Sequence, residues 1–197
     1  MTAPDSVLEF AAHVRVALGG GPFPPTGGWA HMGVVLCDAV VQSGLRCEAV
    51  VRPRTRDLQA AWPDADTVTG FRARPATEDL GTALRLANAR KPATITALAE
   101  HLALAGVDTR DHLRAWLEEE AHRSGVRAVH GIGPKTVDYL GSLVGRSGVA
   151  VDVHLRAFAR GAGVEVTGYV QLREVYEEAA DSLRHVNPDG REFKATP

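Results

Sequence analysis

Residues 129–160 read VHGIGPKTVDYLGSLVGRSGVAVDVHLRAFAR, two helical stretches with a glycine turn before the first and an aspartate before the second. Gly131 and Gly133 flank the apolar Ile132, and Lys135 and Thr136 follow at the opening of a helix. Glycine adopts positive φ without steric cost, so the pair is expected to form a tight hairpin with outward-pointing amides. Free N–H groups at the positive end of a helix dipole suit one phosphate oxygen of a nucleic-acid backbone. Lys135 adds an amine to that turn, and Asp152, seventeen residues later, adds a carboxylate at the start of the next helix.

Each of these residues also has a plainer reading. A Gly-x-Gly-x-Lys-Thr turn occurs in modules that bind DNA without altering it, where the lysine only neutralises phosphate charge. The spacing is too short for a P-loop or a dinucleotide fingerprint. An aspartate just before a helix is a routine N-cap, accepting a bond from an amide two or three residues on.

The chain bounds these readings. Its 197 residues suffice for one medium domain or two small lobes, with 45% hydrophobic and 23% charged residues. Neither a membrane-length apolar run nor a signal-peptide pattern at MTAPDSVLEF is found, so a soluble cytoplasmic protein is expected. The net charge of −2 argues against a non-specific nucleic-acid binder. Lysine is scarce, with only Lys91, Lys135 and Lys194, which makes its place in the turn informative. Cys37 and Cys47 have no metal-ligand spacing and read as core thiols.

Apolar spacing predicts helices almost throughout. A first helix follows Ser6, which with Glu9 resembles a capping box, and the segment GGGPFPPTGG after it is a loop. Trp29 to Val41 is apolar nearly all round, as in a buried helix, and ends near Gln42-Ser43-Gly44. Further helices are expected over Glu48 to Trp62, bent or begun at Pro53, and over Thr82 to Ala89, Thr94 to Leu104 and Asp111 to Ala121. Others cover Val137 to Val144, Val153 to Arg160 and Leu172 to Arg184, with regular structure ending at Asn187-Pro188-Asp189-Gly190. Val149 to Val151 reads as a short strand or an extended approach to the next helix. Trp29, Trp62 and Trp116 read as core. The expected class is all-α, with about eight to ten helices and no solenoid repeat.

The stretch from Val129 to Arg160 resembles the signature of the helix-hairpin-helix DNA glycosylase superfamily, which includes endonuclease III and 8-oxoguanine glycosylase. In that family Gly-x-Gly-x-Lys is followed, after one helix and a glycine-containing loop, by Val-Asp-x-His; here these are Gly131, Gly133 and Lys135, then Val151, Asp152 and His154. The resemblance extends over about residues 29 to 186, more weakly upstream. There Gln42 matches a glutamine that fills the gap left by an extruded base, and Asn88 to Lys91 falls where a similar Asn and basic residue occur.

That resemblance implies a two-lobed fold with the active-site cleft between the lobes. Residues 30–147 would form a central helical barrel with the hairpin unit at about 126–144, and residues 1–29 plus 148–197 a second lobe carrying Asp152. The implied function is base-excision repair: a DNA glycosylase that flips a damaged or modified base and cleaves its N-glycosidic bond. Lys135 would attack the sugar C1′ and form a Schiff base, giving β-lyase (AP lyase) activity, while Asp152 stabilises the cationic sugar. The alternatives are a monofunctional glycosylase in which Asp152 activates water, and a non-catalytic helix-hairpin-helix DNA-binding protein.

The implied partner is double-stranded DNA bearing a damaged or modified base or an abasic site, bound by a monomer with no membrane role. Gly131, Ile132, Gly133, Thr136, Gln42 and His154 are the candidate DNA-binding residues. His154 reads more readily as a packing or solvent-shielding side chain, and Arg46, Arg52, Arg54 and Arg56 as phosphate contacts or a solvated face. The sequence departs from the family at His130, where a proline often stands, and at its end, NPDGREFKATP, where a further helix is usual. No cysteine follows Cys47, so the iron–sulfur cluster of endonuclease III is not expected; neither a cofactor nor a metal is.

Overall fold

A computed structural model describes residues 3–19, 28–74 and 77–185. It is all-helical: the described residues form eleven α-helices and one π-helical turn, and no strand. The chain divides into two compact units, one of Thr26–Gly148 and one joining Met1–Pro25 to Val149–Pro197.

The larger unit is built around α2, Met32–Val41, every residue of which is buried. A helix apolar on all sides must be surrounded, and α2 packs against α3 (Arg52–Ala61), α4 (Val68–Ala73), α6 (Arg90–Leu104) and α9 (Pro134–Leu143). Its small residues permit this enclosure. A Cβ on Gly33 would lie 2.9 Å from the Phe71 ring and 3.0 Å from the Ala65 carbonyl, so a side chain there would push the 65–71 segment away. His31 caps α2, with Nδ1 accepting from Val34 N at 3.2 Å. The proton therefore sits on Nε2, which donates to the Trp62 carbonyl at 2.9 Å. Trp62 is wholly buried, tilted against Phe71, and donates through Nε1 to Glu78 at 2.7 Å.

Several boundaries differ from the sequence reading, and the total exceeds the eight to ten helices expected. The buried helix starts at Met32, leaving Trp29 half-buried just ahead of it. A π-helical turn at Cys47–Val51 leads directly into α3, with Arg52 N–H on the Cys47 carbonyl and Pro53, which has no N–H to give, next in the run. The short α4 was concealed by β-branched residues and a glycine; Gly70 is required because a Cβ would overlap the Asp64 carbonyl. The helix expected over Thr82 to Ala89 shrinks to α5, Leu80–Ala83, capped by Asp79 and ended by Arg85 at φ +51°. α6 begins four residues before Thr94, with Pro92 inside its first turn.

The helix expected over Asp111 to Ala121 is two, α7 (Arg110–Trp116) and α8 (Glu120–Ala128). Side chains of α8 satisfy the carbonyls exposed at the break: Arg123 donates to Leu117 and Glu118, and His122 bonds the Trp116 carbonyl at 2.8 Å. The His122 ring also stacks on Trp116, which is half-buried against the core. α9 opens at Pro134, two residues before Thr136.

The smaller unit contains α1 (Ala3–Leu18), α10 (Val153–Gly161) and α11 (Tyr169–His185). α1 packs on α11. Phe10 is fully buried and meets Phe158 and Tyr176 edge-on, with centroids 6.0 and 4.9 Å away. Along α1 Val7, Phe10 and Ala11 are buried whereas Leu8 and Val16 are exposed. α1 begins three residues before Ser6, which therefore lies within the helix rather than capping it. Val149–Val151 forms neither a helix nor a strand. Residues 20–27 of the GGGPFPPTGG loop and the Asn187–Gly190 terminator lie outside the described residues. No described helix is long and apolar enough to cross a membrane.

Trp62→Ala empties the centre of the larger core and strands the Glu78 acceptor. It is expected to cost about 3–5 kcal/mol, measured by urea denaturation against Trp62→Phe, which keeps most of the ring volume and costs less.

Candidate active site

The hairpin between α8 and α9 occupies residues 129–133. Val129 N bonds Val126 O at 3.1 Å to close α8, and Ile132 N bonds Val129 O at 3.0 Å to close the turn. Ile132 is buried in the core and anchors the hairpin from below. The two glycines differ, contrary to the expectation that both use positive φ. Gly131 has φ +88°, and a Cβ there would lie 2.6 Å from Thr94 Oγ1, which itself donates to the His130 carbonyl at 3.2 Å. Gly133 is extended, at φ −106° and ψ 174°, as the N-cap of α9, and a Cβ there would meet nothing within 4 Å. The fold demands a glycine at 131 and leaves open space at 133.

Thr136 N bonds Gly133 O at 3.0 Å, whereas the N–H groups of Gly131, Gly133 and Lys135 find no acceptor among the described residues. Three free amides thus cluster at the positive end of a ten-residue helix, the arrangement that holds an anion. Thr136 and Lys135 are both half-buried beside them.

The Lys135 Nζ donates to Gln42 Oε1 at 2.6 Å and lies 5.9 Å from the centroid of the Tyr139 ring, one turn further along α9. Gln42 is the C-cap of α2; its side chain is buried, and its Nε2 has no acceptor. The amide is therefore turned toward Lys135 rather than presented outward as a wedge. Behind it lies a network that the sequence reading missed. Tyr139 donates through its hydroxyl to Asp38 Oδ1 at 3.1 Å, and Trp29 donates through Nε1 to Asp38 Oδ2 at 2.7 Å. Burial pushes the Asp38 carboxyl above its ordinary range, opposed by those two bonds and by the Arg52 charge. Burial and then the Asp38 charge push the Tyr139 hydroxyl upward, which keeps it a donor. The available signal was Asp38 itself, the one charged residue in the apolar run 32–41.

Lys91 reaches the same end of α2, donating to the carbonyls of Val41 and Ser43, each at 2.7 Å. Burial, then the nearby Arg54 charge, lowers its proton affinity. Of the arginine group, Arg52 pairs with Glu48 at 3.1 Å, while Arg46 and Arg56 are exposed. Cys37 is buried and Cys47 half-buried, both free thiols. No described cluster of His, Cys, Asp or Glu is arranged to hold a metal ion.

Asp152 belongs to the smaller unit, as the N-cap of α10. Its Oδ1 accepts from both His154 N and Leu155 N at 2.9 Å, so the capping role is filled by one oxygen of the pair. Tyr176 donates to the Leu155 carbonyl at 2.8 Å, and its own hydroxyl is pushed up to about 12 by burial and the Asp152 charge. The His154 side chain is exposed, so the packing or shielding role expected of it is not the one it has.

The chain matches no family model, no curated protein and no solved structure.

Two pairs of substitutions separate backbone demands from other roles. Gly131→Ala is expected to cost about 1–3 kcal/mol through strained φ and the Thr94 clash, whereas Gly133→Ala changes stability by no more than about 0.5 kcal/mol; chemical denaturation reads both. Asp152→Ala loses the cap and about 1 kcal/mol, while Asp152→Asn keeps the acceptor oxygen and stays within about 0.5 kcal/mol of wild type in the same assay.

Proposed function

We propose that this protein is a DNA base-excision glycosylase with β-lyase activity, acting through Lys135 and Asp152 on a flipped nucleotide in a cleft between two helical lobes. The observation that carries the reading is the coincidence, at the hairpin and the first turn of α9, of three amides unpartnered among the described residues and an amine held in place. The amides suit a phosphate of the DNA backbone, and the amine stands two residues past the glycine cap of α9. A phosphate needs a close approach, and Gly133 offers it where the fold itself demands no glycine.

In this reading the target base leaves the helical stack so that C1′ can be reached. Lys135, as the neutral amine, attacks C1′ while the base departs with its bonding electrons, and loss of the ring oxygen's bond to C1′ yields a Schiff base. Elimination of the 3′ phosphate from that imine is the lyase step. Asp152 stabilises positive charge on the sugar as the base leaves. Its cap bonds converge on Oδ1, which leaves Oδ2 for that task.

A second reading has a specific observation in its favour. The Asp152 carboxylate already serves its own helix, as any N-cap does. On that account the hairpin grips DNA and performs no chemistry.

Incubation with duplex DNA carrying an abasic site, followed by borohydride, is expected to trap a covalent adduct that Lys135→Ala abolishes. Asp152→Asn, folded normally, is expected to slow base release by about 100-fold or more on oligonucleotides bearing oxidised, deaminated or alkylated bases. Base release that needs Asp152 but gives no adduct identifies a monofunctional enzyme using water. Binding with no processing of any such base leaves the DNA-binding module.

A further inference from the structure

We infer that Gln42 is the positioning residue for the Lys135 amine, aiming it through an uncharged acceptor. The inference rests on Lys135 being the nucleophile.

Three observations carry it. First, Gln42 is itself immobilised. Its backbone N–H bonds Asp38 O at 3.2 Å, and the carbonyls on either side of it, of Val41 and Ser43, are both gripped by Lys91 Nζ. The side chain is 9% exposed, so the amide oxygen is a fixed point in the fold. Second, the amine is bounded on another side by the Tyr139 ring, whose hydroxyl is tied to Asp38, which is in turn tied to Trp29. An amine set between an amide oxygen and an aromatic face has little rotamer freedom left, and reduced freedom in the nucleophile is what brings an attack geometry within reach. Third, Gln42 leaves its Nε2 buried without an acceptor. An unmade bond of that kind costs about 1–3 kcal/mol, a cost that methionine or leucine of similar volume would not carry. Packing alone therefore gives no reason for an amide here, whereas the 2.6 Å bond to Lys135 does.

The acceptor's chemistry matters as much as its place. A carboxylate at this distance would stabilise the ammonium form strongly, and an ammonium is not a nucleophile. A carboxamide orients with a weaker hold on charge. Asp38, the carboxylate of the network behind, is directed at Trp29 and Tyr139 rather than at the amine.

Two variants, Gln42→Glu and Gln42→Met, test the assignment once thermal unfolding has shown each to be folded. Trace acetylation by acetic anhydride across a pH series, with the Lys135 peptide quantified by mass spectrometry, reads the amine without DNA. Borohydride trapping on abasic duplex reads its attack. Gln42→Glu is expected to move the rise of Lys135 labelling about one pH unit upward and the trapping profile with it. Gln42→Met is expected to raise labelling at fixed pH about threefold while slowing trapping about tenfold. General loosening of the fold would free the part-buried Lys91 as well, so the split of signs counts only with Lys91 labelling unchanged in the same digests, and a parallel rise at Lys91 overturns the assignment. Labelling and trapping that fall together, or profiles of both variants superimposable on wild type, overturn the assignment. If wild-type protein yields no adduct at any pH, the nucleophile reading has failed, and with it the aim of the positioning; the labelling series then decides only whether Gln42 governs the amine, an unchanged profile overturning that as well.

Discussion

The enclosure of α2 is the constraint on which the larger unit depends. A ten-residue helix with every residue buried needs donors and acceptors from elsewhere in the chain for its terminal N–H and C=O groups. At the N-terminus the carbonyls of Asp66 and Ala65 accept from Met32 and Gly33, and His31 accepts from Val34 while bonding Trp62. At the C-terminus Lys91 on α6 donates to the carbonyls of Val41 and Ser43, while Lys135 on α9 reaches the side-chain oxygen of the cap residue Gln42 between them. A chain so poor in lysine thus directs two of its three to residues 41–43. Closing a buried helix and presenting an amine beside the glycine hairpin are results of the same packing.

The hairpin shows how two identical residues can answer to different causes. Gly131 is fixed by the interior, through positive φ and the nearness of Thr94. Gly133 has ordinary extended backbone and open space where a side chain would stand. Ile132 between them is part of the core, so the turn is rooted on one side and open on the other. Rigid support beneath free amides is the arrangement in which backbone donors hold an anion without rearranging.

Much of the helical architecture was legible because apolar spacing survives wherever a helix buries one stripe; α9, α10 and α11 were all foreseen to within a few residues at each end. Spacing failed where tertiary contacts override it. The break between α7 and α8 depends on Arg123 and His122 reaching back to cap carbonyls, which no local pattern announces. α4 depends on Thr67 capping and on Gly70 fitting against Asp64, although its own residues are poor helix formers. For the candidate site, the turn residues Gly131, Gly133 and Lys135 could be read directly because their spacing is local. The bond from Lys135 to Gln42 spans 93 residues, and the Trp29–Asp38–Tyr139 network joins two helices, so neither could be read from periodicity. The lone acid in an apolar run was the single clue to the network.

Asp152 takes both of its cap bonds on the same oxygen. Two amides of a helical turn converging on one atom fix the plane of the carboxyl group as well as its position. The residue is thus held like a blade in a handle: torsional wandering has been removed during folding, before anything is bound. A side chain so constrained responds to a newcomer by its field alone, with almost no reorientation, and whatever approaches its other oxygen meets a charge already in place.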